Sequence, residues 1–199
     1  MARPTRRAPG IRLILTLAAL ASVIAGYYLG QYWQRRPLAD LPAVVYPAGQ
    51  LVDYPAELFT DAGDGAPGPW RLFIVADTRE AECERLLRHY GLVFNRLAAR
   101  PKIQANLRLS VLAYDQPDND AARAFTGGVN WAEVLSAPPQ ELDALSQQLG
   151  ILPDHASWCS AAAANAVLIA PDHRRWALIP HEQAAIMANN ISTIIAFVE

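Results

Sequence analysis

At 199 residues the chain has room for a terminal segment plus one domain of roughly 130–160 residues, large enough for a real core. Its 52% apolar and 18% charged residues exclude a disordered chain, and two cysteines are too few for a disulfide-built scaffold or a paired Cys-x-x-Cys zinc site. The net charge of −2 is uneven: residues 1–36 hold six Arg and no acid, leaving 11 basic against 19 acidic residues with a single Lys, Lys102, which argues against a nucleic-acid partner.

Residues 1–12 read as a basic, cytoplasmic N-terminus. Leu13–Trp33 is an uncharged, near-continuous apolar run. At ~1.5 Å per residue it would span about 31 Å, the thickness of a bilayer's hydrocarbon core. Arg3, Arg6, Arg7 and Arg12 outnumber Arg35 and Arg36 on the far side, which predicts a single span with the C-terminal domain in the periplasm of a bacterial inner membrane. Tyr27, Tyr28 and Trp33 suit the outer interface. Val23-Ile24-Ala25 would serve as a signal-peptide cleavage site, but the apolar run continues past it, so an uncleaved anchor is expected. Ala18, Ser22, Gly26 and Gly30 recur at four-residue steps. Such a stripe of small residues lets helix backbones approach closely, as in a transmembrane homodimer; the alternative is chance in an Ala/Gly-rich segment.

Residues 34–69 are rich in Pro and Gly and read as a linker and N-terminal extension, with a short strand pair expected in Tyr46–Phe59 and a turn at Asp61–Asp64. The domain proper is expected over residues 70–199. Leu72–Ala76 is a short apolar run of the kind that forms a strand buried on both faces. Asp77 and Glu80 have the spacing of an N-cap and capping box. Cys83, Leu86, Leu87, Tyr90, Val93, Phe94 and Leu97 then form one helical stripe, which Gly91 threatens to break. Pro101 and the polar Lys102–Asn106 end that region, and Leu107–Ala113 forms the second strand.

The carboxylate-dense Asp115–Asp120 lacks the glycine and terminal glutamate of a calcium loop and reads as a solvated turn. Pro138-Pro139 introduces a helix over Gln140–Leu149, stopped by Gly150. Pro153–Ser160 is a loop. Ala163–Ala170 and Arg174–Ile179 form strands about a turn at Pro171–His173, and His181–Val198 closes the chain as a helix. His89 falls on a helix face and His173 in a turn; His181-Glu182 is no zincin motif, because Ala185 stands where the second His belongs.

The order β-α-β…β-β-α is thioredoxin-like. In Trp70–Leu87 and Val167–His173 the chain resembles the Sco/SenC proteins of cytochrome oxidase copper-site assembly, and more closely their shortened, membrane-anchored bacterial relatives. The resemblance covers about residues 68–199 plus the anchor, and implies an α/β, Sco-like thioredoxin fold. Sco proteins carry Cys-x-x-x-Cys after the first core strand and a distal His before the segment matched here by Val167–His173. In this chain those positions are Arg79, Cys83 and the neighbourhood of Ala162, so two of three copper ligands are missing and no copper or other cofactor is expected.

In thioredoxin-like folds the loop before the third core strand faces the turn after the first. The resemblance therefore places Cys83, Cys159 and His155 in one neighbourhood, where the cysteines either pair or remain two buried thiols. Three readings follow. The leading one is a non-catalytic accessory of respiratory oxidase assembly, with oxidase subunits or assembly factors as partners. The second is a thiol–disulfide oxidoreductase, Cys83 being activated at a helix N-terminus and resolved by Cys159. The third is a copper chaperone using Cys83, Cys159 and His155, since soft thiolates suit Cu(I).

Overall fold

The computed structural model describes residues 9–53, 68–151, 158–160 and 164–199. The chain divides into two compact units, one ending at Asp40 and the other spanning Leu41–Glu199. The first is a helix, α1 (Pro9–Ala39), in which Leu13–Gly30 is long and apolar enough to cross a membrane and is exposed throughout.

The second unit is a six-stranded sheet. Its strands are β1 (Val44–Leu51), β2 (Trp70–Ala76), β3 (Leu107–Ala113), β4 (Ala132–Leu135), β5 (Ala166–Ile169) and β6 (Arg174–Ile179). They lie in the order β1-β6-β5-β2-β3-β4. β2, β3 and β4 run parallel, whereas β5, β6 and β1 join antiparallel. The helices are α2 (Ala81–Arg96), α3 (Pro101–Ala105), α4 (Asn119–Thr126), α5 (Pro139–Leu149) and α6 (Ala184–Val198). This is a thioredoxin-like α/β domain.

β2 is buried along its whole length, as expected of a central strand covered on both sides. Phe73 and Val75 join Leu112, Val167 and Ile169 in a core against Leu142, Leu145 and Leu149 of α5. Leu72 and Ile74 alternate to the opposite face, where α2 packs beside α6. The stripe on α2 is buried as read, from Cys83 through Phe94, with Leu97 following in a 3-10 turn. Gly91 does not break the helix. A Cβ there would meet only the Trp131 ring, at 3.7 Å, and burial of the stripe outweighs the ~1 kcal/mol cost of a helical glycine.

Other boundaries differ from the sequence reading. α6 begins at Ala184, leaving His181 in the preceding loop, and β5 begins at Ala166. Of the strand pair expected over Tyr46–Phe59, β1 alone falls within the described residues, as an edge strand on β6; the turn at Asp61–Asp64 lies outside them. A bulge interrupts β1 between Val45 and Gln50, and Gly49 there has φ +61 with Arg174 Cβ 3.0 Å from where its own Cβ would stand, so only glycine suits the position.

α4 and β4 have no counterpart in the sequence reading. α4 buries no residue, and its ends are closed by Asp118, which accepts the Ala121 N–H at 2.8 Å, and by left-handed Gly127. α5 ends at left-handed Gly150. Arg175 from β6 donates to the Leu149 and Gln148 carbonyls (2.7 and 3.3 Å), satisfying groups that a helix C-terminus leaves open.

One charged group lies inside the sheet. Arg71 on β2 is 5% exposed, reaches across Ser110 on β3 at 3.2 Å and pairs with Glu133 on β4, while Ser110 donates to Glu133 at 2.5 Å. Removing one partner leaves a buried charge uncompensated. Glu133→Ala should therefore destabilise the domain by about 3 kcal/mol, and the double variant Arg71→Met/Glu133→Leu should recover most of that loss; equilibrium urea unfolding of the three proteins measures both.

Candidate thiol site

The chain leaves β2 through Asp77, Thr78, Arg79 and Glu80. Asp77 and Glu80 do not form a capping box. Glu80 is the N-cap and makes no side-chain cap bond, whereas Asp77 turns the backbone by accepting the Arg79 N–H at 2.9 Å. The Arg79 guanidinium donates back to both Asp77 carboxylate oxygens, at 3.1 and 2.9 Å. These bonds saturate Asp77 and hold its carboxyl below the ordinary carboxylate range, with Arg79's hydrogen bond as the largest cause.

Asp115 is no solvated turn residue. Its side chain is 2% exposed, accepts the Thr78 N–H at 3.0 Å and the Thr78 hydroxyl at 2.6 Å, and so ties the end of β3 to the end of β2. Asp118 caps α4 and Asp120 lies in its first turn. Both carboxylates belong to a helix start rather than to a cation loop.

Cys83 sits in the first turn of α2, 1% exposed. Cys159, in the segment before β5, is 7% exposed, with its Sγ 3.7 Å from the Val75 carbonyl oxygen. A disulfide joins the two across a sequence separation of 76, with their Cα atoms 5.0 Å apart. The adjacent Trp158 ring packs on Tyr114 at 4.8 Å between centroids. His155 and Ala162 lie outside the described residues. The small-residue stripe Ala18, Ser22, Gly26 and Gly30 lies exposed on α1, where Ser22 Oγ donates to the Ala18 carbonyl at 2.9 Å.

A histidine pair beside the disulfide escaped the sequence reading. His89 on α2 and His181 before α6 have ring centroids 4.7 Å apart, and His89 Nε2 donates to the Glu182 carbonyl at 2.9 Å. With Glu82, Arg85, Leu86, Cys159 and Ser160 they line a cavity of about 420 Å³. No local signal marks the pair, because the packing of α2 on α6 alone brings them together. Burial, aided by His89, pushes the His181 imidazole below its ordinary value, while Glu182 opposes the shift. A second cavity, of about 700 Å³, opens between α2 and α4 beside Arg79.

No family model matches the sequence, and neither does any curated protein. Solved structures do. The apo Sco1 protein from Thermus thermophilus superposes with a TM-score of 0.56 at 15% identity, over 78% of this chain and 96% of that one. The fold is that of the Sco/SenC proteins. Arabidopsis thaliana ScoI with copper bound matches with a TM-score of 0.51 at 10% identity, covering 65% of this chain and 85% of its own. BsSco, a Sco-family cytochrome c oxidase assembly protein with an identified disulfide switch, matches with a TM-score of 0.52 at 13% identity, covering 66% and 81%.

In the oxidised domain Cys83 and Cys159 are bonded to each other, and Arg79, in the turn before α2, is a permanent cation that cannot become a ligand. Among the described residues no group of three or more His, Cys, Asp and Glu is placed to hold a metal.

Two measurements probe the site. The disulfide closes a long loop, and the chain-entropy relation assigns such a link about 4.5 kcal/mol. The Cys83→Ala/Cys159→Ala variant should lose roughly that much stability in denaturant titrations run without reductant. His181 titrates lower folded than unfolded, so its contribution is complete above its ordinary value of 6.5 and is lost as pH falls below it. The melting temperature should fall from pH 7.5 towards 5, and His181→Gln should flatten that slope while His89, Glu82, Arg85 and Glu182 stay in place.

Proposed function

We propose that this chain is a membrane-anchored Sco-type accessory of respiratory cytochrome oxidase assembly, without a copper site of its own and acting through protein contact. The observation that carries the reading is the pairing of Cys83 with Cys159 in a Sco fold whose turn presents Arg79 instead of a second thiol. α1 supplies a segment suited to a bilayer, and the arginine excess before it favours a periplasmic domain held at the inner membrane. The small-residue stripe on α1 offers a packing face to a second copy or to a partner's span. The acidic balance of residues 37–199 favours a basic docking surface on the partner.

The reading differs from copper delivery in a measurable way. Deleting the gene should lower the amount of assembled oxidase, and added copper should not restore it. The purified, reduced full chain in detergent should lose Cu(I) to a competing chelator. Tight one-to-one copper binding that disappears in both Cys83→Ser and Cys159→Ser would overturn the reading in favour of a metal chaperone.

A further inference from the structure

The cavity of about 700 Å³ between α2 and α4 is walled only by described residues, from Thr78 to Trp131, and a contact role gives it no task. Its volume is that of a small-molecule site. Gly91 on α2 forms part of the wall. The backbone there is ordinary helix, and an added Cβ would meet only the Trp131 ring, at 3.7 Å, so the fold itself does not call for glycine. Glycine is a poor helix former, and what its missing side chain leaves is room in the cavity. Across from it α4 contributes Ala121, Ala124 and Phe125 while burying none of its residues. Capping at Asp118 and Gly127, rather than burial, closes that helix, so its apolar residues stay available to a ligand. Trp131 stacks on Phe94 at 4.5 Å between centroids and gives the cavity a fixed aromatic surface.

The charged groups of the wall are Arg79 and Arg88 against Glu84, two guanidiniums to one carboxylate. Arg88 and Glu84 form an exposed pair at 3.4 Å, a weak hold on either. Arg79 is held harder. Asp77 accepts from its Nε and Nη2, at 3.1 and 2.9 Å, which pins the guanidinium, and among the described residues Nη1 has no hydrogen-bond partner. Asp77 and Asp115, the carboxylates beside Arg79, do not line the cavity. We propose that this cavity binds a small aromatic monocarboxylate. Its carboxylate accepts from Arg79 Nη1, with Arg88 as the second cation, and its ring packs on Trp131, Phe125 and the exposed Leu92. A single negative charge answers the wall's excess of one cation, whereas a neutral ligand leaves the pinned guanidinium without an acceptor.

This site goes beyond the accessory reading, and its test uses no oxidase, so either can fail alone. Full-length protein in detergent is irradiated with 4-benzoylbenzoate, an aromatic monocarboxylate that photo-crosslinks where it binds, and the labelled residues are mapped by mass spectrometry. Label should fall on the cavity residues of α2 and α4, Leu92 and Phe125 foremost, and excess 2-naphthoate should remove it. The methyl ester of the probe, which lacks the charge, should label those residues severalfold less. The acid should do the same on Arg79→Gln, whereas Arg100→Gln, which removes an exposed cation outside the cavity, should leave the labelling as it is. Gly91→Leu fills the cavity with a better helix former and should cut the labelling about tenfold at an unchanged or higher melting temperature. Ala124→Trp, at an exposed position, fills it from α4 and should act alike. Label confined to α1, or cavity label that is equal for acid and ester or survives both filling variants, would overturn the proposal and leave the cleft as plain surface.

Discussion

Trp70–Ala76 buries every side chain, so both faces of β2 must be covered and neither of its neighbours can be dispensed with. The parallel pairing with β3, in register from Trp70 opposite Leu107 to Ala76 opposite Ala113, requires a crossover, and α2 is that crossover. The α5 core covers the second face. Burial of this strand fixes where α2 starts, and hence where Cys83 stands.

The ends of β2 and β3 are then tied by Thr78 and Asp115, and the start of α2 by the disulfide to Cys159. Each link joins elements that hydrophobic packing alone would position loosely. Arg79 occupies the same turn but faces solvent, bound to Asp77, and contributes charge rather than packing. The turn after β2 and the first turn of α2 thus present one guanidinium, outward, and one sulfur, inward and paired.

The second half of the domain shows how antiparallel additions complete a parallel core. β5 and β6 extend the sheet on one side, and β1, recruited from ahead of the core, closes that edge. Arg175 on β6 joins this edge to the other layer by satisfying the end of α5, with its guanidinium 4.3 Å over the Tyr46 ring of β1. On the opposite edge, the charge of Arg71 is balanced by Glu133, which makes the short β4 the partner of a central strand two positions away.

Patterns with a short period were legible in the sequence. The apolar runs of β2 and β3, the stripe on α2, the long apolar segment of α1 and the Gly150 stop each depend on residues a few positions apart, and physical preference alone reveals them. The resemblance to Sco proteins carried the fold further than those patterns could. Tertiary structure alone decided the rest. Asp77 bonds Arg79 rather than capping a helix, and Asp115 is buried because Thr78 arrives from another strand. α4 is eight residues long with no buried side chain and β4 four residues with one, too short for a sequence pattern to mark. Cys83 meets Cys159, and His89 meets His181, across 76 and 92 positions. Such pairs are made by the packing of distant elements, and nothing in the residues between them records the distance that folding removes.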